Sequence, residues 1–298
     1  MSERPVLEEI SQGQRDRLAF IDLRLRFVGV IGRQDVVSRF GIQIAAATRD
    51  LATYRDLASR NLEYDARGKA YVRGAYFRPL FEFPVERVMT WLSQGYGDSQ
   101  PSPVRSLVPC EVPDALNRPE LGIVSVVTRA IHQHRPMQVS YRAMSSGLTS
   151  REIVPFAVAS SGVRWHVRAF DRKSGEFRDF VLTRIVDAEL LDGPVPQRET
   201  AANDIQWNRI VDLVLGPHPA NVKHPDTVEA DYGMVDGALK VQVRAALAGY
   251  VLRHWNVDCS PNHGLKGAEY QLCLRNRPAL YGVTNLVLAP GYESAVKA

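Results

Sequence analysis

The sequence predicts an α+β chain built from several modules, and three observations carry that prediction. Apolar residues recur at helical spacing near the amino end, short alternating runs separated by turn residues fill the middle, and two proline-rich stretches divide the chain. At 298 residues the chain is long enough for more than one domain, since domains run to roughly 100–200 residues. Hydrophobic residues are 45% and charged residues 23%, a globular composition that excludes a mainly disordered chain. Lys+Arg 37 against Asp+Glu 33 leave a net charge of +4, so any nucleic-acid surface must come from clustering of basic residues. No apolar run approaches the roughly 18 residues of a membrane span, and Met1–Glu9 is polar, unlike a signal peptide. Cys110, Cys259 and Cys273 show neither disulfide-scaffold nor metal-ligand spacing, which fits a reducing cytoplasm. No metal, cofactor or membrane partner is expected.

Pro101, Pro103, Pro109 and Pro113, with Gly97, Asp98 and Ser99, predict a linker over 96–118 that Pro119 closes. Gly193, Pro194 and Pro196 mark a second break between Asp192 and Asn203. The expected modules are therefore 1–95, 119–195 and 203–298.

In the first module Leu18, Ile21, Leu25 and Val28 share one helical face. Arg33–Phe40 reads as a short helix stopped by Gly41. A third helix from about Gln43 to Ala58 turns Ile44, Ala47, Leu51 and Tyr54 to the core. Leu62–Asp65, a turn at Ala66–Lys69 and Ala70–Val72 predict a β-hairpin. Helix, short helix, glycine turn, helix, hairpin is the order of a winged helix-turn-helix. The outer face of the third helix carries Gln43, Ala45, Ala46, Arg49, Asp50 and Thr53. Small residues at 45 and 46 let the backbone sink into a major groove, and Gln43 and Arg49 suit bidentate contacts to base edges. Arg67 and Lys69 at the hairpin tip, and Arg33 and Arg39 on the short helix, are placed for phosphates. A plain three-helix bundle with solvated charges fits the same pattern.

The middle module opens with a helix from Leu121 to His134, with Leu121, Val124, Val127 and Ile131 on one face. Strands are expected at Met137–Ala143, Glu152–Ala159, Val163–Phe170, Glu176–Leu182 and Ile185–Leu191. Tight turns at Ser145–Gly147, Ser160–Gly162 and Lys173–Gly175 join them, which predicts a small antiparallel barrel or strongly curved sheet. Val163, Trp165, Val167 and Ala169 alternate with Arg164, His166 and Arg168, so His166 and Arg168 project together away from the apolar set. Arg142, Arg151, Arg168, Arg178 and Arg184, with His166, make a candidate anion site, because guanidinium forks match phosphate. The alternative is that these arginines are solvated or pair with Asp171, Asp179 and Asp187.

Several segments carry a resemblance. They are Arg151-Glu-Ile-Val-Pro155-Phe156, Arg164-Trp-His-Val-Arg-Ala-Phe-Asp171, Phe177-Arg-Asp-Phe180 and Thr183-Arg-Ile185. In order and spacing they resemble the WYL domain. Its naming Trp-Tyr-Leu triplet here reads Trp165-His166-Val167, so two of the three positions depart. Thr48-Arg-Asp-Leu51, Tyr54-Arg55 and Lys69-Ala-Tyr71 resemble the winged helix of BrxR/CapW-type WYL regulators. The resemblance implies a five-stranded Sm-like barrel that senses a nucleotide or nucleic-acid ligand. It implies a ligand face at Ser140, Tyr141, His166, Arg168 and Arg178, with Arg184 beside it. It also implies a homodimeric repressor of an anti-phage defence operon.

In the last module Asp204 is placed to cap a helix reaching Leu215, with Ile205, Ile210, Leu213 and Val214 apolar. Thr227–Asp231 reads as a strand, Asp236-Gly237 as a hairpin turn and Leu239–Arg244 as a clean alternating strand. A helix Ala245–Trp255 and a strand Tyr270–Arg275 complete a small α+β module, with Trp207, Tyr250 and Trp255 read as core. The resemblance gives this extension a dimerising role. A two-fold dimer would set two recognition helices on the half-sites of an inverted-repeat, double-stranded DNA operator.

Enzyme signatures are weak. The sequence holds no Walker or Rossmann glycine loop, no His-Glu-x-x-His and no Gly-x-Ser-x-Gly. His132 and His134 end a helix and are expected in solvent; His218 and His224 sit in a proline-rich loop. Ser140 with His166 could serve as nucleophile and base, but both more simply belong to a polar ligand face. The leading expectation is a ligand-responsive repressor. Its rivals are a nucleotide- or nucleic-acid-processing enzyme on the His166 and arginine face, and an activator of the same architecture.

Overall fold

The computed structural model describes residues 10–96, 107–113 and 116–292. Met1–Glu9 and most of the expected linker, including Gly97, Asp98, Ser99, Pro101 and Pro103, lie outside the described residues. The chain forms two compact units, Met1–Asp114 and Ala115–Ala298.

In the first unit, α1 (Gln12–Phe27) starts at Ser11, whose hydroxyl accepts the Gln14 N–H. The short α2 (Arg33–Phe40) is anchored by Asp35, whose carboxylate accepts the Gly32 N–H at 2.7 Å. It ends at Gly41 with φ 64°, a left-handed cap that suits glycine. Helix α3 (Ile44–Leu57) then crosses α1 and α2 over Leu18, Ile21, Leu25, Val36, Ala47, Leu51 and Tyr54. Strands β2 (Leu62–Asp65) and β3 (Ala70–Arg73) form the wing, in register from Leu62↔Arg73 to Asp65↔Ala70.

Two elements were not foreseen. Val30–Ile31 forms β1, which pairs with the far side of β3 and makes the wing three-stranded; two residues are too few to show a period. Helix α4 (Val85–Gln94) buries Val88 and Trp91, and the Trp91 ring packs 4.6 Å from Tyr96. A buried polar knot ties the segment after the wing to the helices. Asp22 accepts from the Tyr54 hydroxyl at 2.5 Å and from the N–H groups of Leu80 and Phe81. Asn61 donates to the Tyr54 hydroxyl and to the Arg78 carbonyl. Burial pushes the Asp22 carboxyl above its usual range, against the pull of these hydrogen bonds.

The second unit opens with α5 (Leu121–His132), which buries Ile123, Val127 and Ala130. Leu121, expected on that face, is 82% exposed in the first turn. Five antiparallel strands follow: β4 (Met137–Ala143), β5 (Gly147–Ser160), β6 (Trp165–Asp171), β7 (Glu176–Val181) and β8 (Ile185–Leu190). Their order is β7-β6-β5-β4-β8, with register shifts at Ser140/Tyr141 and Pro155/Ala157. The expected Sm-like barrel is therefore corrected to an open sheet, in which β7 and β8 are edges that do not pair with each other. The chain leaves β7 through a 3-10 turn at Leu182–Arg184, and the Val181 N–H donates to the Tyr141 hydroxyl rather than to a strand. Val163 and Trp165 are exposed instead of core, because they lie in the turn and at the very start of β6; Val167 and Ala169 are fully buried.

The C-terminal part adds a four-stranded sheet in which β9 (Ile210–Pro217) lies between β10 (Leu239–Arg244) and β12 (Leu272–Leu274), and β12 also pairs with β11 (Val257–Asp258). Asp204 caps only the single-turn α6 (Ile205–Asn208), and the chain then becomes β9 (Ile210–Pro217), not a helix reaching Leu215. As an inner strand β9 buries Val211, Leu213 and Leu215, and it pairs with β10 (Leu239–Arg244). The expected strand at Thr227–Asp231 is instead α7 (Pro225–Asp231), where Pro225 opens the first helical turn. Asp236 and Gly237 both have positive φ and close the Val235↔Ala238 bridge before β10, as expected of a hairpin turn. Helix α8 (Ala245–His254), β11 (Val257–Asp258) and β12 (Leu272–Leu274) complete the module. Among the described residues no helix is long and apolar enough to cross a membrane.

Candidate nucleic-acid interface and anion pocket

Helix geometry sorts α3 into faces. Positions 45, 49, 52 and 56 follow each other at spacings of four, three and four and form the outermost ridge. Ala45 and Arg49 are exposed there, Gln43 is exposed just before the helix, and Gln43 caps no N–H with its side chain. Ala46 and Thr53 flank the ridge on the α1 side, half-buried beside Gln14 and Arg17. Thr48 and Arg55 flank it on the wing side, in a groove shared with Arg33, Lys69 and the Tyr64 ring. Arg33, Arg67 and Lys69 are exposed, as phosphate contacts require. Thr48, Arg55 and Tyr64 were missed, although Thr48 and Arg55 lie two helical turns apart on one face.

Three expectations shift on α2 and α3. Ile44 is 57% exposed rather than core. Asp50 is 2% exposed rather than on the outer face, because Arg17 pairs with it at 2.6 Å and Gln14 donates to it. This pair braces α3 on α1 and removes an acid from the surface a phosphate would meet. Arg39 lies half-buried against the Phe40 and Tyr96 rings.

The second unit contains a cavity of about 290 Å³ between the β6 side of the five-stranded sheet and α8. Tyr141, Arg164, His166 and Arg184 line it from the sheet module, and Tyr250 and Arg253 from α8. The approach is close. Gly162 (φ 79°) has so little room that a β-carbon there would lie 2.2 Å from the His254 ring. His166 is 6% exposed, and neither ring nitrogen has a hydrogen-bond partner. Burial first, then the Arg164 and Arg184 charges, push its pKa down to about 4, so it is a neutral imidazole at pH 7. The Tyr250 ring lies 4.8 Å from it, and the Tyr250 hydroxyl donates to Asp179. Tyr250 is thus part of the pocket wall rather than of the module's core.

Of the seven expected ligand residues, the cavity gathers three: Tyr141, His166 and Arg184. Arg168 lies buried beside it, bidentate to Asp204 at 2.7 and 3.1 Å and paired with Asp179 at 3.2 Å. Arg178 lies outside it and pairs with Glu176. Ser140 and Arg142 alternate with Tyr141 on β4 and do not line it. Arg151 pairs with Asp171 at 2.7 Å. Arg164 and Arg253 were not foreseen as ligand residues. Arg253 carries no local signal, because its partners across the cavity are far away in sequence.

Among the described residues no group of His, Cys, Asp and Glu is arranged to hold a metal ion. His218 is buried, bonded to Asp258 at 3.1 Å and to the N–H groups of Ala220 and Asn221. Burial pushes the Cys259 thiol up to about 12, far from a reactive thiolate. His132 and His134 are exposed, as expected.

A wing-bearing helix-turn-helix in one unit, with a separate basic cavity in the other, defines the class of a winged-helix transcription regulator. Residues 13–94 match the BrxR transcriptional regulator winged helix-turn-helix domain, 122–190 the WYL domain, and 210–280 the BrxR transcriptional regulator C-terminal dimerization domain. The DNA-binding transcriptional repressor CapW of Escherichia coli (strain KTE188) is 35% identical over 283 residues, 91% of this chain and 92% of its own. That of Pseudomonas aeruginosa is 35% identical over 277 residues, 89% and 90% of the two chains. Among solved structures, proteasome accessory factor B/C of Arthrobacter aurescens aligns with a TM-score of 0.28 and 17% identity, covering 90% of this chain and 46% of that one. The chain belongs to the BrxR/CapW family of WYL-domain transcriptional regulators.

Proposed function

We propose that this chain is a homodimeric, DNA-binding transcriptional repressor acting in the cytoplasm. Residues 1–95 form its reading head and 203–298 its dimerising end, with 96–118 as the tether and 119–195 as the sensor. The observation that carries the reading is Arg49, exposed on a ridge smoothed by Ala45 and flanked by Arg33 and Lys69 of the wing groove. Gln43 and Arg49 contact base edges in the major groove, Ala45, Ala46 and Thr53 allow the close approach, and Arg33, Arg67 and Lys69 hold phosphates. The 35% identity to repressors along nearly the whole chain supports the same reading. A two-fold dimer then reads an inverted repeat.

A nucleotide or nucleic-acid effector bound at the second unit controls operator occupancy, and the operon under control is an anti-phage defence operon. The support for an effector site is the cavity with the neutral, unpartnered His166 and the Arg184 guanidinium. Arg168 supports the site from behind through Asp179 and Asp204. The test is fluorescence anisotropy with the DNA upstream of the chain's own operon and with a scrambled duplex. Tight, salt-sensitive preference for the upstream DNA supports the repressor reading. Equal binding to both contradicts it.

A further inference from the structure

The cavity between β6 and α8 draws its walls from both modules of the second unit, and its charge is unbalanced. Arg164, Arg184 and Arg253 line it, and among the described residues none of the three forms an ion pair with a carboxylate. The Arg184 guanidinium donates to the Met144 sulfur at 3.1 Å. Asp179 is the one carboxylate in the described lining, and it is already engaged by Arg168 and by the Tyr250 hydroxyl. Three arginines therefore line the space, Arg164 and Arg253 at its exposed rim and Arg184 half-buried, against a single carboxylate that is already paired. Beside them, His166 offers one donor and one acceptor nitrogen, both buried and both unpartnered. Buried polar atoms normally find partners, so this pair points to a group the chain does not itself supply.

We propose that the C-terminal module completes the effector site: Arg253 of α8 joins Arg164 and Arg184 in a cradle for the terminal phosphate of a nucleotide or nucleic-acid strand, while His166 binds an uncharged polar group next to that phosphate. The inference rests on reading this surface as the effector site, and it names the ligand's chemistry and the second module that holds it. A phosphate monoester carries roughly −1.5 to −2 charges at pH 7. An internal phosphodiester carries only one, so the monoester balances three guanidiniums better. A cavity of about 290 Å³ lies at the small end of ligand pockets. It holds one nucleotide residue, not a stacked run of them. Arg253 lies within the part of the chain matching the dimerization domain, one residue before His254, which packs on Gly162. A phosphate drawn to Arg253 therefore pulls on the helix of the dimerising module that packs against the sensor.

Binding is measured by isothermal titration on the full-length protein. The probes are a short single-stranded DNA with a 5′-phosphate, the same strand with a 3′-phosphate, the same strand with hydroxyl ends, and a free deoxynucleoside 5′-monophosphate. The wild type is expected to prefer a phosphate-ended strand or the mononucleotide over the hydroxyl-ended strand by about tenfold or more. Arg253→Met, which keeps the aliphatic stem, and Arg164→Ala are each expected to erase that preference with Tm and dimer mass unchanged. Arg178→Ala is expected to keep it. A preference for the strands or for the mononucleotide identifies the source of the phosphate. If the wild type binds phosphate-ended and hydroxyl-ended strands equally, or Arg253→Met keeps the full preference, the cradle is wrong while the effector reading stands. If the wild type binds none of the probes, both are overturned.

Discussion

Arg49 and Arg168 are the same residue type with opposite fates. Arg49 stands exposed on α3 with no ion-pair partner among the described residues, whereas Arg168 is buried between Asp204 and Asp179. Arg49→Ala is expected to lower discrimination between operator and scrambled DNA by about 1–3 kcal/mol and leave non-specific affinity nearly intact. Lys69→Ala should weaken both duplexes alike and reduce the salt slope by about one. Anisotropy titrations at several salt concentrations separate the two. Arg168→Ala strands two carboxylates in the interior and should cost about 3–5 kcal/mol of stability, read by denaturant unfolding. Alternation in β6 shows that Arg168 points away from Val167. It cannot show what covers that face, because Asp204 lies 36 residues further on. His166 gives a pH signature. Its folded pKa, about 4, lies below the ordinary value of 6.5, so the unfolded chain binds the extra proton between those values. Stability should fall as pH drops from 6.5 towards 4, and His166→Asn should flatten that part of the profile.

At the scale of elements, the reading head was largely legible because its punctuation is local. Gly41 ends α2 in the left-handed region, and the four-residue turn between β2 and β3 marks the wing. Gly41→Ala should destabilise the protein by about 1 kcal/mol, visible as a lower thermal midpoint with an unchanged operator sequence preference. Helix α4 carries a usable local signal, with Val88, Trp91 and Leu92 at helical spacing after Pro84. The failures in the C-terminal module have another cause. β9 lies between β10 and β12 and buries residues on both faces towards its end, so its apolar run reads equally as a helix. That the five-stranded sheet stays open was not legible at all. At the end of β7 the Val181 N–H donates to a tyrosine hydroxyl 40 residues away, a partner no local pattern reports.

At the scale of the whole molecule, a net charge of +4 gives little general attraction to DNA, so the proposed operator affinity rests on local clustering of basic residues and, in the proposed dimer, on two copies of it. Light scattering should give twice the 33.3 kDa chain mass at concentrations where operator binding is observed. The cavity was only half legible. His166 and Arg184 stood in the candidate anion set and Tyr141 was implied by the resemblance, whereas Tyr250 and Arg253 arrive on a helix whose docking no local rule reports. The most direct test of the central claim is selection of bound sequences from random duplex DNA by the full-length protein, followed by titration of the winner with wild type and Arg49→Ala. The account predicts an inverted repeat with half-sites about 10 base pairs, or a multiple, apart, and a preference for it that Arg49→Ala loses. Enrichment of no motif, or of one without two-fold symmetry, would contradict it.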